Sequence, residues 1–173
     1  MFYAKRNDAI EFAHRTRKNL EYIEEASEEW NDEVYPIVQL ANSLLGLVVF
    51  PMARLAVQRF KELPLTDLED LGWPKVHITL DKDSPPRTAR CASQRSSWHP
   101  TTTLYDLVRH LRNSAAHGRM TFSSDSPKPE KVEIRVEDGP PNSKTPNWKA
   151  YMTARELRVF CEKFIELLDN TLG

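Results

Sequence analysis

Residues 35–60 carry Ile37, Leu40, Ala41, Leu44, Leu45, Val48, Leu55, Ala56 and Phe60, an apolar face too wide for one neighbour to cover. Any fold open to this chain must surround that segment on several sides, as a central helix. Pro36 suits a first helical turn, where the missing N–H costs nothing. Pro51 removes a backbone donor and crowds the preceding turn, which predicts a kink or break near Phe50. Gly46 allows a neighbouring helix to come close. The competing use of residues 34–57 is a membrane span, but Gln39, Asn42, Pro51 and Arg54 fall inside it, and a buried bundle helix fits them better.

Three other segments have helical spacing. Over residues 3–30, Ala9, Ala13, Leu20, Ile23, Ala26 and Trp30 step by three, four or seven, the pattern of one long amphipathic helix. Its outer face mixes Lys5, Arg6, Arg15, Arg17 and Lys18 with Glu24, Glu25, Glu28 and Glu29. This reads as a solvated, salt-bridged face, with a contribution of the basic half to an RNA groove as the sharper alternative. His14, lacking a supporting partner, reads as a surface residue. Residues 102–117 repeat Leu104, Leu107, Val108, Leu111 and Ala115 at helical spacing. Thr153-Ala154-Arg155-Glu156 is a capping box opening a helix over 154–170, with Leu157, Phe160, Cys161, Phe164, Ile165 and Leu168 on its inner face.

Between these, residues 61–100 form an irregular insert. Thr66-Asp67-Leu68-Glu69 has capping-box spacing for a single turn, and residues 75–80 alternate as a short strand that takes in His77. Lys82, Arg87, Arg90 and Arg95 then make a cationic loop, read either as a phosphate contact or as merely solvated. Residues 119–123 and 131–137 read as a β-hairpin, and 148–151 as a third short strand. At 173 residues and 40% hydrophobic content the chain fits a single domain over 1–173. The expected architecture is mainly α: a four-helix bundle with a long middle connection and a small β-hairpin elaboration after the third helix.

A formal net charge of −1 gives no overall attraction to nucleic acid, so any RNA site must come from a local cluster. Cys91 and Cys161 lie far apart without a partner motif, which argues against a disulfide framework or zinc site and suits a reducing cytosol. The charged, amphipathic N-terminus has no apolar signal core, and a cytoplasmic protein with no membrane association is expected.

The third helix carries an unusual polar cargo. At roughly 100° per residue, His110, Asn113 and His117 fall opposite the apolar stripe, with Arg109 nearby and Arg112 at the flank. Arg112 and His117 meet on one small group only if the helix ends at about Ala116 and the chain turns, and Gly118 permits that turn. Arg112-Asn113-x-x-x-His117 resembles the R-N-x(3)-H form of the Rx4–6H signature of the HEPN superfamily, and the order of helices resembles the HEPN bundle over most of the chain. The resemblance implies a metal-independent endoribonuclease, a toxin or defence protein restrained by an antitoxin partner. It also implies a homodimer with a composite active site, in which two arginines and two histidines surround one two-fold cleft.

RNA cleavage by its own 2′-hydroxyl needs a base, an acid and a cation for the phosphorane. Histidine supplies either proton role near neutral pH, and arginine offers a charged planar fork to phosphate. The expected catalytic residues are Arg112, His117 and Asn113, the last either orienting His117 or binding phosphate. His110, Arg109 and Arg119 are expected to support the site or bind substrate, with packing at a dimer seam the alternative for His110. No cofactor or metal is expected, because clustered carboxylates are lacking nearby. One alternative use of the motif is a non-catalytic HEPN-like nucleotide- or RNA-binding or protein-interaction dimer module. The other is purely structural, with Arg112 paired to an acid on the first helix.

Overall fold

In the computed structural model, which describes residues 6–30, 36–51, 58–81, 101–124, 126, 128–140 and 145–172, the first periodic stretch is one helix, α1, Arg6–Trp30. Among the described residues Ala9, Ala13 and Leu20 are its fully buried positions. Charges on the outer face pair along the helix, Arg15 with Glu11 and Arg17 with Glu21, while Glu24 accepts from Arg158 of the C-terminal helix at 3.0 Å. His14 corrects its reading as an unpartnered surface residue: its Nε2 lies 3.0 Å from Asp169 Oδ1, a partner too distant in sequence for any local spacing to reveal.

The central apolar segment begins as expected at Pro36. Helix α2, Pro36–Leu44, continues into a π-helical turn, Leu45–Val49, before Phe50 and Pro51. The wider turn accommodates the proline ring and its missing donor, so the predicted break takes the form of a π-bulge. Gly46 sits in that bulge against α1, and a Cβ there would stand 2.8 Å from Thr16 Oγ1 and 3.0 Å from Phe12 Cε1. The close approach expected of a glycine is thus met by one side of α1. Helix α3, Gln58–Glu62, places Phe60 in the core beside Phe164. Among the described residues no helix is long and apolar enough to cross a membrane.

The described part of the insert, residues 61–81, holds a short helix and a strand. The short helix α4, Leu65–Leu68, starts after Pro64 with no side-chain cap, and Thr66 donates instead to Asp67. The predicted Thr66 cap is therefore wrong: backbone bonds Leu65 N–H to Thr102 O and Leu104 N–H to Leu63 O, each 2.9 Å, hold the turn in place. Strand β1, His77–Asp81, follows, with His77 stacked on Tyr151 at 4.8 Å. Lys82, Arg87, Arg90, Cys91, Arg95 and His99 lie outside the described residues.

Helix α5, Leu104–Ala116, leads into β2, Met120–Phe122, and β3, Glu133–Asp138; then come β4, Trp148–Thr153, and α6, Ala154–Leu172. The expected hairpin is part of something larger. All four strands join one antiparallel sheet in the order β1-β4-β3-β2. Each strand was legible from alternation, but the β1–β4 pairing joins segments about 70 residues apart, beyond what local pattern reports. Ile134, Val136 and Asp138 of β3 and Trp148, Ala150 and Met152 of β4 form the buried face, and β3 packs on α5. The predicted capping box of α6 is present, with Thr153 and Glu156 bonding reciprocally. Helix α1 packs on α2 and α6, and the π turn touches α5 and α6, so the core lies between helices on one side of α5 and the sheet on the other.

Candidate functional site

Helix α5 has well-defined ends, and they decide where its polar residues go. Thr103 Oγ1 accepts from Asp106 N–H while Asp106 accepts from Thr103 N–H, a capping box with Asp in the usual Glu position. At the other end Gly118 adopts φ +63°. Gly118 N–H bonds Ala115 O at 3.2 Å and Arg119 N–H bonds Ser114 O at 2.8 Å, which together close a Schellman motif. The helix thus ends where convergence of Arg112 and His117 requires.

The apolar stripe Leu104, Leu107, Val108 and Leu111 is buried as expected, while Ala115 is only half-buried. The opposite side departs from expectation. His110, 2% exposed, does not sit on an outer face: the sheet covers it, and its ring stacks on Trp148 at 4.6 Å and 7°. His110 Nδ1 lies 2.8 Å from Asp138 Oδ2, and Asn113 Nδ2 donates to the same oxygen at 3.0 Å. Ser114 Oγ lies 2.8 Å from both His110 O and Glu137 O. A helix packed on two sides has no polar outer stripe left at positions 110 and 113.

Asp138 is the residue that the sequence reading missed. It is 6% exposed at the end of β3, and its Oδ1 accepts from Gly139 N–H at 2.7 Å. Burial raises its carboxyl pKa, but hydrogen bonds from His110, Asn113 and Gly139 and the charge interaction with His110 outweigh this and hold it below the usual 3.8. The signal was available: alternation through Val132, Ile134 and Val136 puts residue 138 on the buried face, and a buried carboxylate demands donors.

Arg109 Nη2 lies 3.4 Å from His110 Nε2 and 3.8 Å from Asp106. The Asp138 carboxylate only accepts, so His110 Nδ1 carries the ring proton that faces it. Arg119 is half-buried and donates from Nη1 to Gly139 O at 3.4 Å. Arg112 and His117 are both exposed, and among the described residues neither side chain has a hydrogen bond or ion pair. The predicted residues therefore fall into two sets. His110, Asn113 and, at its edge, Arg109 gather on Asp138; Arg112 and His117 stay open, with Arg119 at the following turn.

This arrangement offers one open cation and one open imidazole on a rigid helix end, supported by a buried ionised carboxylate. Among the described residues no group of three or more His, Cys, Asp or Glu side chains is placed to hold a metal ion. A family model described as HEPN pEK499 p136 matches residues 1–172. No curated protein and no solved structure matches the chain.

Proposed function

The chain belongs to the HEPN pEK499 p136 family, within the HEPN superfamily, and from that premise we propose that it is a metal-independent endoribonuclease acting through Arg112 and His117. The observation that carries the reading is the exposure of those two side chains at a helix end turned by Gly118. The RNA 2′-oxygen attacks the adjacent phosphorus as the P–O5′ bond breaks. One histidine takes the 2′-hydroxyl proton, another protonates the leaving 5′-oxygen, and arginine balances the charge on the phosphorane. The products are a 2′,3′-cyclic phosphate and a 5′-hydroxyl.

One chain supplies one exposed motif histidine, so the reading includes a homodimer of HEPN-type helical bundles in which two copies of Arg112 and His117 share a cleft. It also includes a cytoplasmic toxin or defence role with an antitoxin partner. The alternative, a non-catalytic RNA- or nucleotide-binding or interaction module, is favoured by one observation: Asn113 and His110 already spend donors on Asp138. The two readings part on a single assay. The purified protein is incubated with a mixed RNA pool in excess EDTA, and product ends are analysed beside a 2′-O-methylated RNA. Cyclic phosphate ends from the first substrate and an intact second support catalysis; binding to both without cleavage supports the module.

A further inference from the structure

The end of α5 that carries Arg112 and His117 is latched to one short stretch of the sheet. His110 and Asn113 bond Asp138, Ser114 Oγ reaches Glu137 O, Glu137 N–H bonds Arg119 O at 3.0 Å, and the Arg119 guanidinium reaches Gly139 O. Residues before and after His117 are thus fixed to residues 137–139. We infer that Asp138 is a positioning residue for the ribonuclease site and acts through Asn113, which anchors the motif helix rather than binding phosphate. This inference rests on the ribonuclease reading of Arg112 and His117.

The link from carboxylate to motif is short. Asn113 gives its amide N–H to Asp138, and its backbone carbonyl accepts His117 N–H at 3.0 Å. Holding Asn113 against the sheet also sets the rotation of the helix, which leaves Arg112, roughly 100° away around the axis, on the open side. A buried carboxylate makes strong, directional hydrogen bonds, because the surroundings screen them poorly. The stack of His110 on Trp148 fixes the plane of the second donor. What the latch requires is a donor at one of positions 113 and 138 and an acceptor at the other, whereas phosphate binding requires the amide at 113 itself.

Exchanging the pair separates these uses. Asn113→Asp sets two carboxylates face to face, and Asp138→Asn removes the shared acceptor. In Asn113→Asp/Asp138→Asn the new amide nitrogen stands where Oδ2 stood and donates one proton to the new carboxylate and the other to His110 Nδ1 in its Nε2–H tautomer, while the amide oxygen still accepts from Gly139 N–H. Misplacement of a catalytic group costs on the order of tenfold to hundredfold, so each single variant should lose that much kcat with KM changed less than about threefold. The double variant should return to within about threefold of the parent. Amide exchange gives a second readout independent of cleavage: protection of His117 and Arg119 should fall in both single variants and recover in the double. A double variant that regains this protection but stays as slow as Asn113→Asp overturns the inference, since Asn113 then acts on phosphate. So does an Asp138→Asn protein with parental rate and protection. If a single variant does not fold, folding recovered in the double supports the latch, and a double that also fails to fold overturns it. A parent that cuts no RNA defeats the ribonuclease reading instead. Exchange then decides the anchor, and protection retained in both single variants overturns it.

Discussion

Replacing Gly46 by alanine tests the packing of the central helix through the sign of the effect. In an ordinary helix the change stabilises by about 0.5–1 kcal/mol, because glycine gives up more backbone freedom on folding. Here the new methyl would stand 2.8 Å from Thr16 Oγ1, 3.1 Å from Thr16 Cγ2 and 3.0 Å from Phe12 Cε1. Thr16 cannot swing away freely: it is β-branched, and its hydroxyl donates to Phe12 O at 2.8 Å. Phe12 in turn packs its ring on Phe50 at 5.0 Å. Overpacking of this kind costs about 1–3 kcal/mol, so a net loss of about 1–2 kcal/mol is expected. Urea unfolding followed by circular dichroism should show a lower midpoint at unchanged slope. Thr16→Ala placed on top should recover about 1 kcal/mol or more of the loss, a coupling expected only of residues in contact. A Gly46→Ala protein as stable as the parent, or more so, would refute the contact between the π turn and α1.

Gly118→Ala should cost about 1 kcal/mol from the left-handed backbone alone, since a Cβ there meets nothing within 4 Å; urea unfolding measures it, and Gly118→Asn should lose less. Asp138→Ala strands the His110, Asn113 and Gly139 donors in a buried place and should cost about 3 kcal/mol at pH 7. The folded-state pKa of Asp138 is depressed, so its contribution is present above the unfolded value and is lost as pH falls through the folded one. The gap between parent and Asp138→Ala in urea should therefore narrow steadily below about pH 4. Burial pushes the Cys161 thiol up to about 12, so in a Cys91→Ser background a thiol reagent at pH 8 should label Cys161 only as fast as the protein unfolds.

The helices were legible because each has its own local signature. The Thr153–Glu156 capping box, the 3.6-residue stripe of Leu104 to Leu111 and the proline at the head of α2 all depend on neighbours within a few residues. The π turn was half legible: Pro51 announces a disturbance, but a missing donor alone does not say whether the helix kinks, breaks or widens. Alternation also showed each strand, while the pairing of His77–Asp81 with Trp148–Thr153 rests on a contact that no local pattern encodes. That missing sheet explains the misplaced face of the motif helix. With one buried stripe, positions 110 and 113 read as exterior; with a sheet on the second side, they turn inward. Of the expected outer residues His117 stays exposed, and Arg112, expected at the flank, is exposed beside it.

The measurement that bears most directly on the central claim is the rate of RNA cleavage in excess EDTA by the parent, Arg112→Ala and His117→Ala proteins, with circular dichroism and unfolding midpoints taken on the same samples. Both side chains are exposed and without partners among the described residues, so neither truncation should move stability by more than about 0.5 kcal/mol. The account predicts that the parent cuts and that each variant, folded and equally stable, is slower by about a hundredfold or more. Equal rates in all three proteins, or no cleavage by the parent, would contradict it.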